Sequence, residues 1–232
     1  IDESAPELVK FCRTHKSKAI PELQQAIESM TFGAKFHETL IASVPDQATR
    51  DFHQKQQILL LRSALDILEH YPLNAETPKL TLENTAPTYM AALLQQGRFT
   101  RGENYARRLM TDRNCVKRVR NIWFMPPYWA SFCLLAQGKN PAEAEKLLQG
   151  ILAGNKHSKL ALPNASAINL YLGVAQSRLN KLEEALLSLD EVERIETGLA
   201  KTDLMALAEV RARKADLYRR RGMFDAAEKH IR

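Results

Sequence analysis

The residues with the clearest metal-binding chemistry are Cys12 and His15, which a helix would place on one face. A thiolate and an imidazole are both zinc ligands, but a structural zinc site needs four ligands. No second pair with this spacing occurs among the three cysteines and six histidines, and His37, His53 and His230 are scattered. A surface histidine beside a half-buried cysteine is the simpler interpretation. We therefore predict no metal site and no other cofactor.

Catalytic motifs are missing from the chain. It contains no glycine-rich phosphate loop, no His-Glu-x-x-His, no Gly-x-Ser-x-Gly and no Cys-x-x-Cys. The acidic residues between Glu183 and Glu193 surround an amphipathic pattern whose inward positions include Leu182, Ala185 and Leu189. A solvated helix face explains them better than an acid/base pair. We predict that the protein is not an enzyme.

Two basic clusters give the chain its other conspicuous chemistry. Solvated helix surface and a surface for an acidic ligand are both open interpretations. A third is nucleic acid, because Trp123, Tyr128 and Trp129 could stack on bases beside the cationic residues. The first cluster is Arg107, Arg108, Arg113, Lys117, Arg118 and Arg120, and the second is Arg211, Arg213, Lys214, Arg219, Arg220 and Arg221.

The composition is that of a helical globular protein. Of 232 residues, 45% are hydrophobic and 26% charged, and the net charge of +6 favours acidic partners. Glycine is scarce, residues that favour helix dominate, and no apolar run is long enough to cross a bilayer. Three cysteines without framework spacing favour reduced thiols and a cytoplasmic location. Both ends read as cuts from a larger protein.

Helical periodicity begins in the first 80 residues. It predicts helices over Pro6–His15, Pro21–Met30, Ala34–Val44 and Ala48–Tyr71, followed by a linker over Pro72–Glu83. We therefore divide the chain into an N-terminal helical region, 1–82, and a second region, 83–232. The first is a cap, a set of degenerate repeats or a separate bundle, and a cap has the best physical motive because it would cover an exposed repeat face.

A repeat of about 42 residues runs through the second region. Two segments each place a pair of small residues 12 positions apart, on either side of a turn. The first segment contains Leu172-Gly173 and Ala185, and the second contains Ala215, Tyr218, Gly222, Phe224 and Ala227. Small side chains at both positions allow two antiparallel helices to cross closely. Two weaker copies of this pattern lie upstream. The second small residue of the pair in each of the four copies is Gly102, Ala144, Ala185 and Ala227, and successive ones are 42, 41 and 42 residues apart.

These residues resemble the pattern of the tetratricopeptide repeat (TPR) family, in a variant with longer helices. The resemblance covers about 84–232, although the family's early tryptophan is absent and its late proline is mostly missing. It implies an all-α fold, a right-handed solenoid of four TPR-like helix pairs.

The resemblance also implies a concave groove lined by the first helix of each repeat. Its positions map onto an aromatic end and a basic end, which would suit a peptide with hydrophobic and acidic residues. The implied groove residues are Tyr128, Trp129, Phe132, Tyr171, Arg178, Arg213, Asp216, Arg219 and Arg220.

The sequence thus favours a scaffold or regulatory module that binds a protein or peptide. A nucleic-acid-associated helical repeat protein is the alternative, and self-association through open array ends is a third candidate. No membrane insertion is expected.

Overall fold

The computed structural model describes residues 20–70, 81–155, 162, 164–199 and 203–231. No strand occurs within these ranges. The chain divides into two compact units, the first ending at Pro126 and the second beginning at Pro127. The helix expected over Pro6–His15 lies outside the described residues, as does most of the expected linker.

The first described helix of the first unit is longer than expected, because the sequence indicated a break after Met30. One helix instead runs through Thr31 and Gly33. Gly33 is a point of close approach rather than a breaker, because a Cβ there would lie 3.1 Å from Leu60 Cδ1. The helices described in this unit are α1 (Ile20–Ser43), α2 (Gln47–His70), α3 (Leu82–Gln95), α4 (Phe99–Thr111) and α5 (Arg113–Arg118), followed by a 3-10 turn at Arg120–Ile122.

The start of α3 also differs from the expected linker, which was to extend to Glu83. Thr81 caps the helix, since its side chain accepts a hydrogen bond from the Asn84 backbone N–H. Leu82 and Glu83 therefore belong to the first turn.

The described residues of the second unit are almost entirely helical. The helices described there are α6 (Met125–Ala136), which begins two residues before the boundary, α7 (Pro141–Asn155), α8 (Ala165–Arg178), α9 (Leu182–Thr197), α10 (Leu204–Arg220) and α11 (Phe224–Ile231). One core cluster joins α6, α7 and α8 through Leu134, Ala144 and Val174. Another joins α8, α9 and α10 through Leu170, Leu189 and others.

Four equivalent turns confirm the TPR-like pattern of helix pairs. In each, one residue has a left-handed backbone, which glycine adopts at no steric cost and asparagine tolerates. The next residue donates its backbone N–H to a carbonyl five positions earlier, at 2.8 or 2.9 Å, which closes the end of the preceding helix. The left-handed residues are Gly97 (φ 65°), Gly138 (φ 67°), Asn180 (φ 61°) and Gly222 (φ 73°).

The small residues of the repeat occupy equivalent positions after these turns. Each is the fourth residue of its helix, respectively α4, α7, α9 and α11, and each is buried. Its backbone N–H donates to the carbonyl four positions earlier, at 3.0–3.2 Å. The residues are Gly102, Ala144, Ala185 and Ala227.

Candidate partner-binding groove

A groove of about 380 Å³ lies between α8 and α10, the first helices of two successive pairs. Its lining residues recur at helical spacing along both helices, so each helix turns one continuous face to the groove. We refer to it as the α8–α10 groove. It is lined by Gly173, Val174 and Ser177 of α8, Leu189 of α9, and Glu209, Ala212, Arg213, Asp216 and Leu217 of α10.

The floor of the α8–α10 groove is apolar. Val174, Leu189 and Leu217 are all less than a tenth exposed. Gly173 brings α8 close to α9, since a Cβ at Gly173 would lie 3.2 Å from the Leu189 side chain and 3.3 Å from the Ala185 carbonyl oxygen. The close crossing that the sequence indicated therefore forms the base of the groove.

Charged residues form the rim as two opposite-charge pairs. Both nitrogens Nε and Nη2 of Arg213 donate to Glu209 Oε1, at 3.0 and 2.6 Å. Asp216 pairs with Arg219 at 2.6 Å, with 47% and 69% of their side chains exposed. Ion pairs in contact with solvent contribute little stability, so a partner's charge could replace one member at low cost.

Three aromatic rings meet beside this rim. Tyr171 of α8 packs against Phe132 of α6, with ring centroids 5.1 Å apart, and against Tyr128 at 5.9 Å. Burial raises the pKa of the Tyr171 hydroxyl, and the charge of Glu209 raises it further while Arg213 opposes both. Burial raises the pKa of Tyr128 as well. Both hydroxyls thus remain protonated donors at neutral pH, and Tyr171 links the aromatic cluster to the rim.

Not every residue expected in the groove faces outward. Trp129 is only 4% exposed, so it belongs to the core and we leave it out of the contact surface. Arg178 donates to the Leu135 carbonyl. Arg220 donates to the Ser177 carbonyl and hydroxyl and to Asn180 Oδ1. Each of these arginines donates to the last turn of the first helix in the preceding pair, and it therefore links two consecutive helix pairs.

The second basic cluster is partly neutralised by contacts within the chain. Lys214 is buried between Asp190 and Glu193, and Arg221 pairs with Glu183. Acidic neighbours at helical spacing, such as Glu209 four residues before Arg213, were the available signal for this pairing. The lining positions Ala212 and Leu217 were also missed, although they lie three and eight residues after Glu209 and so share its helix face.

The described residues contain no group of three or more histidine, cysteine, aspartate or glutamate side chains suited to a metal ion. Within the same ranges, no helix has the length and apolar character required to cross a bilayer.

Comparison with solved structures identifies the fold. The chain is similar to the crystal structure of the nearly identical TPR-like repeats of a candidate kinesin light chain from Podospora anserina. The TM-score is 0.59 at 14% sequence identity, over 92% of this chain and 93% of that one. No protein-family profile and no curated protein matches. The protein therefore has a TPR-like α-helical repeat fold.

Proposed function

We propose that the protein is a scaffold or regulatory module that binds a protein or peptide segment in the α8–α10 groove. The observation that carries the proposal is the apolar floor beneath a rim of exchangeable ion pairs. A hydrophobic side chain of the partner would occupy the floor between Val174 and Leu217. A partner carboxylate would replace Glu209 at Arg213, and Tyr171 would donate an additional hydrogen bond.

Electrostatics favours this reading over the nucleic-acid alternative. Nucleic acid binding depends on cations that can neutralise many phosphates. In the first basic cluster, Arg107 pairs with Glu103 and Arg108 with the buried Glu69. In the second, the buried Lys214 pairs with Asp190 and Glu193. The pairing leaves fewer cations for a phosphate backbone, and the groove contains an apolar floor that a peptide can use.

The cellular setting belongs to the same proposal. Cys115 and Cys133 are buried and unbridged, which supports a reducing, cytoplasmic compartment. A module of this kind would act as part of a larger protein.

The experiment requires a peptide ligand, which a random peptide library selected against the whole chain supplies. We expect the selected peptides to combine a hydrophobic and an acidic residue. Arg213→Ala should weaken their binding by about 1.5 kcal/mol, roughly tenfold in Kd, because hydrogen bonds to a charged group are lost. Fluorescence polarisation measures the change, and it should shrink as salt rises.

Two matched controls make the result specific. Arg211→Ala removes an exposed arginine of α10 that does not line the groove, and it should leave Kd unchanged. Ala212→Glu places a bulky, charged side chain in the groove, whereas Ala208→Glu places it outside. If Arg213→Ala and Ala212→Glu both bound the selected peptides as tightly as the wild-type chain does, the groove would be excluded as the binding site. If the chain bound random DNA or RNA at low salt, and both groove substitutions left that binding unchanged, the result would favour the nucleic-acid alternative.

A further inference from the structure

A pair of histidines bridges α1 and α2 in the first unit, apart from the proposed groove. The Nδ1 atoms of His37 and His53 are 2.9 Å apart, and their ring centroids are 5.1 Å apart. Both side chains are partly exposed, so ions in solution can reach them. The two positions are 16 residues apart in the sequence, a spacing that matches no metal-binding motif.

Both imidazoles belong to helices that pack on each other, and both lie beside an aromatic ring. Phe36 contacts His37 edge to face at 6.0 Å, and Phe52 contacts His53 in the same manner at 5.4 Å. The two helices also approach closely where Gly33 faces Leu60. Ligands supported in this way bind with less loss of conformational entropy than ligands on mobile loops.

The separation of the nitrogen atoms is that of an ordinary hydrogen bond, and it is also short enough for both atoms to bind one metal ion. With metal–nitrogen bonds of about 2.0–2.1 Å, two ligands at right angles lie about 2.9 Å apart, whereas two tetrahedral ligands lie about 3.3 Å apart. Right-angled positions are those of square-planar and octahedral sites, which Cu²⁺ and Ni²⁺ prefer with nitrogen ligands.

Metal binding sets a requirement on the two rings. A metal needs both Nδ1 atoms unprotonated, with the ring protons on Nε2. Without a metal, the same two atoms can share one proton in a hydrogen bond.

We propose that His37 and His53 form a binding site for a divalent transition metal, Cu²⁺ or Ni²⁺. The two imidazoles occupy adjacent coordination positions, and water fills the remaining ones. The site staples α1 to α2 and is independent of partner binding in the α8–α10 groove.

The test is titration of the whole chain with copper sulfate, and separately with nickel sulfate, in a non-chelating buffer at pH 7.4. Calorimetry should show one tightest binding step, and electron paramagnetic resonance of the Cu²⁺ form should show coupling to two nitrogen atoms. His37→Gln and His53→Gln should each abolish this step. His230→Gln, which changes a histidine that stacks on Tyr218 in α11, should retain it.

A second readout needs no variant. Bound Cu²⁺ should protect His37 and His53 of the wild-type chain from modification by diethyl pyrocarbonate, as measured by mass spectrometry of peptides. A copper-binding step that survives in both glutamine variants would overturn the proposal. So would equal modification of the two histidines with and without copper.

Discussion

Gly173 and Gly150 both lie inside helices of the second unit, in opposite surroundings. A Cβ at Gly173 would meet the buried Leu189 and the Ala185 carbonyl oxygen at 3.2–3.3 Å, closer than side chains normally pack. A Cβ at Gly150 would meet nothing within 4 Å. Gly173 therefore permits a close helix crossing, whereas Gly150 only lowers the helix propensity of its own segment.

Alanine substitution should separate these two roles. Gly150→Ala should stabilise the protein by about 0.5–1 kcal/mol, because alanine loses less conformational entropy in a helix interior. Gly173→Ala gains the same propensity but forces α8 away from α9, and overpacking of this kind costs about 1–3 kcal/mol. Thermal unfolding followed by circular dichroism measures both changes. Similar stabilisation by the two substitutions would show that α8 and α9 separate without cost.

The surroundings of individual side chains were harder to predict than the helix pairs. The sequence proposed Trp129, Arg178 and Arg220 as groove residues, whereas Trp129 is buried and each arginine bonds to the preceding helix pair. Whether a tryptophan faces the core depends on the exact rotation of its helix. Whether an arginine is available depends on carbonyl groups some 43 residues away, such as Leu135 for Arg178. A single sequence shows neither the rotation of a helix nor the position of these distant carbonyl groups.

At the scale of helices and turns, prediction was more complete. The small residues and the turn residues recur at a regular spacing because each repeat must cross and reverse in the same way. The fourth-residue position of Gly102, Ala144, Ala185 and Ala227 follows from that constraint. The break expected near Gly33 was wrong because a glycine signals a helix end and a close packing contact equally well.

The arginine link between consecutive pairs is a property of this scale. Arg220 donates to Ser177 and Asn180, whereas its neighbour Arg219 pairs only within α10, with Asp216, among the contacts described here. Arg220→Ala should therefore lower the free energy of unfolding by about 1 kcal/mol, since three hydrogen bonds are lost at a solvated position. Urea denaturation measures the loss.

Arg219→Ala is the matched comparison. It removes another exposed arginine of the same helix and should change stability by less than about 0.5 kcal/mol. If the two substitutions had the same effect, the hydrogen bonds of Arg220 would contribute nothing beyond a surface charge.

At the scale of the whole molecule, the second unit is held together by cores that each involve neighbouring helices. One cluster includes Val174 and the other Leu170, so α8 contributes to both. Stability in such a chain is close to a sum of local terms and nearest-neighbour terms. The first unit has its own core, which includes Leu65 of α2.

Damage to one core should consequently remain local. Leu189→Ala removes a side chain that is 1% exposed and should cost about 2–5 kcal/mol. We expect faster hydrogen exchange in α8, α9 and α10, with little change in α1 and α2. Leu65→Ala, at a fully buried position of α2, should produce the reverse pattern. Uniform loss of protection after either substitution would indicate that both units unfold as one.

The turn between α6 and α7 contains one residue more than its three counterparts. Gly138 precedes Ala144 by six positions where the others differ by five, and Asn140 absorbs the difference with a φ of 31°. Ala144 nevertheless keeps its place as the fourth residue of its helix. A residue can be inserted in a turn of this kind during evolution without changing the register of the helices on either side of that corner. The corner is accordingly a natural point at which to graft a tag, an epitope or a sensor.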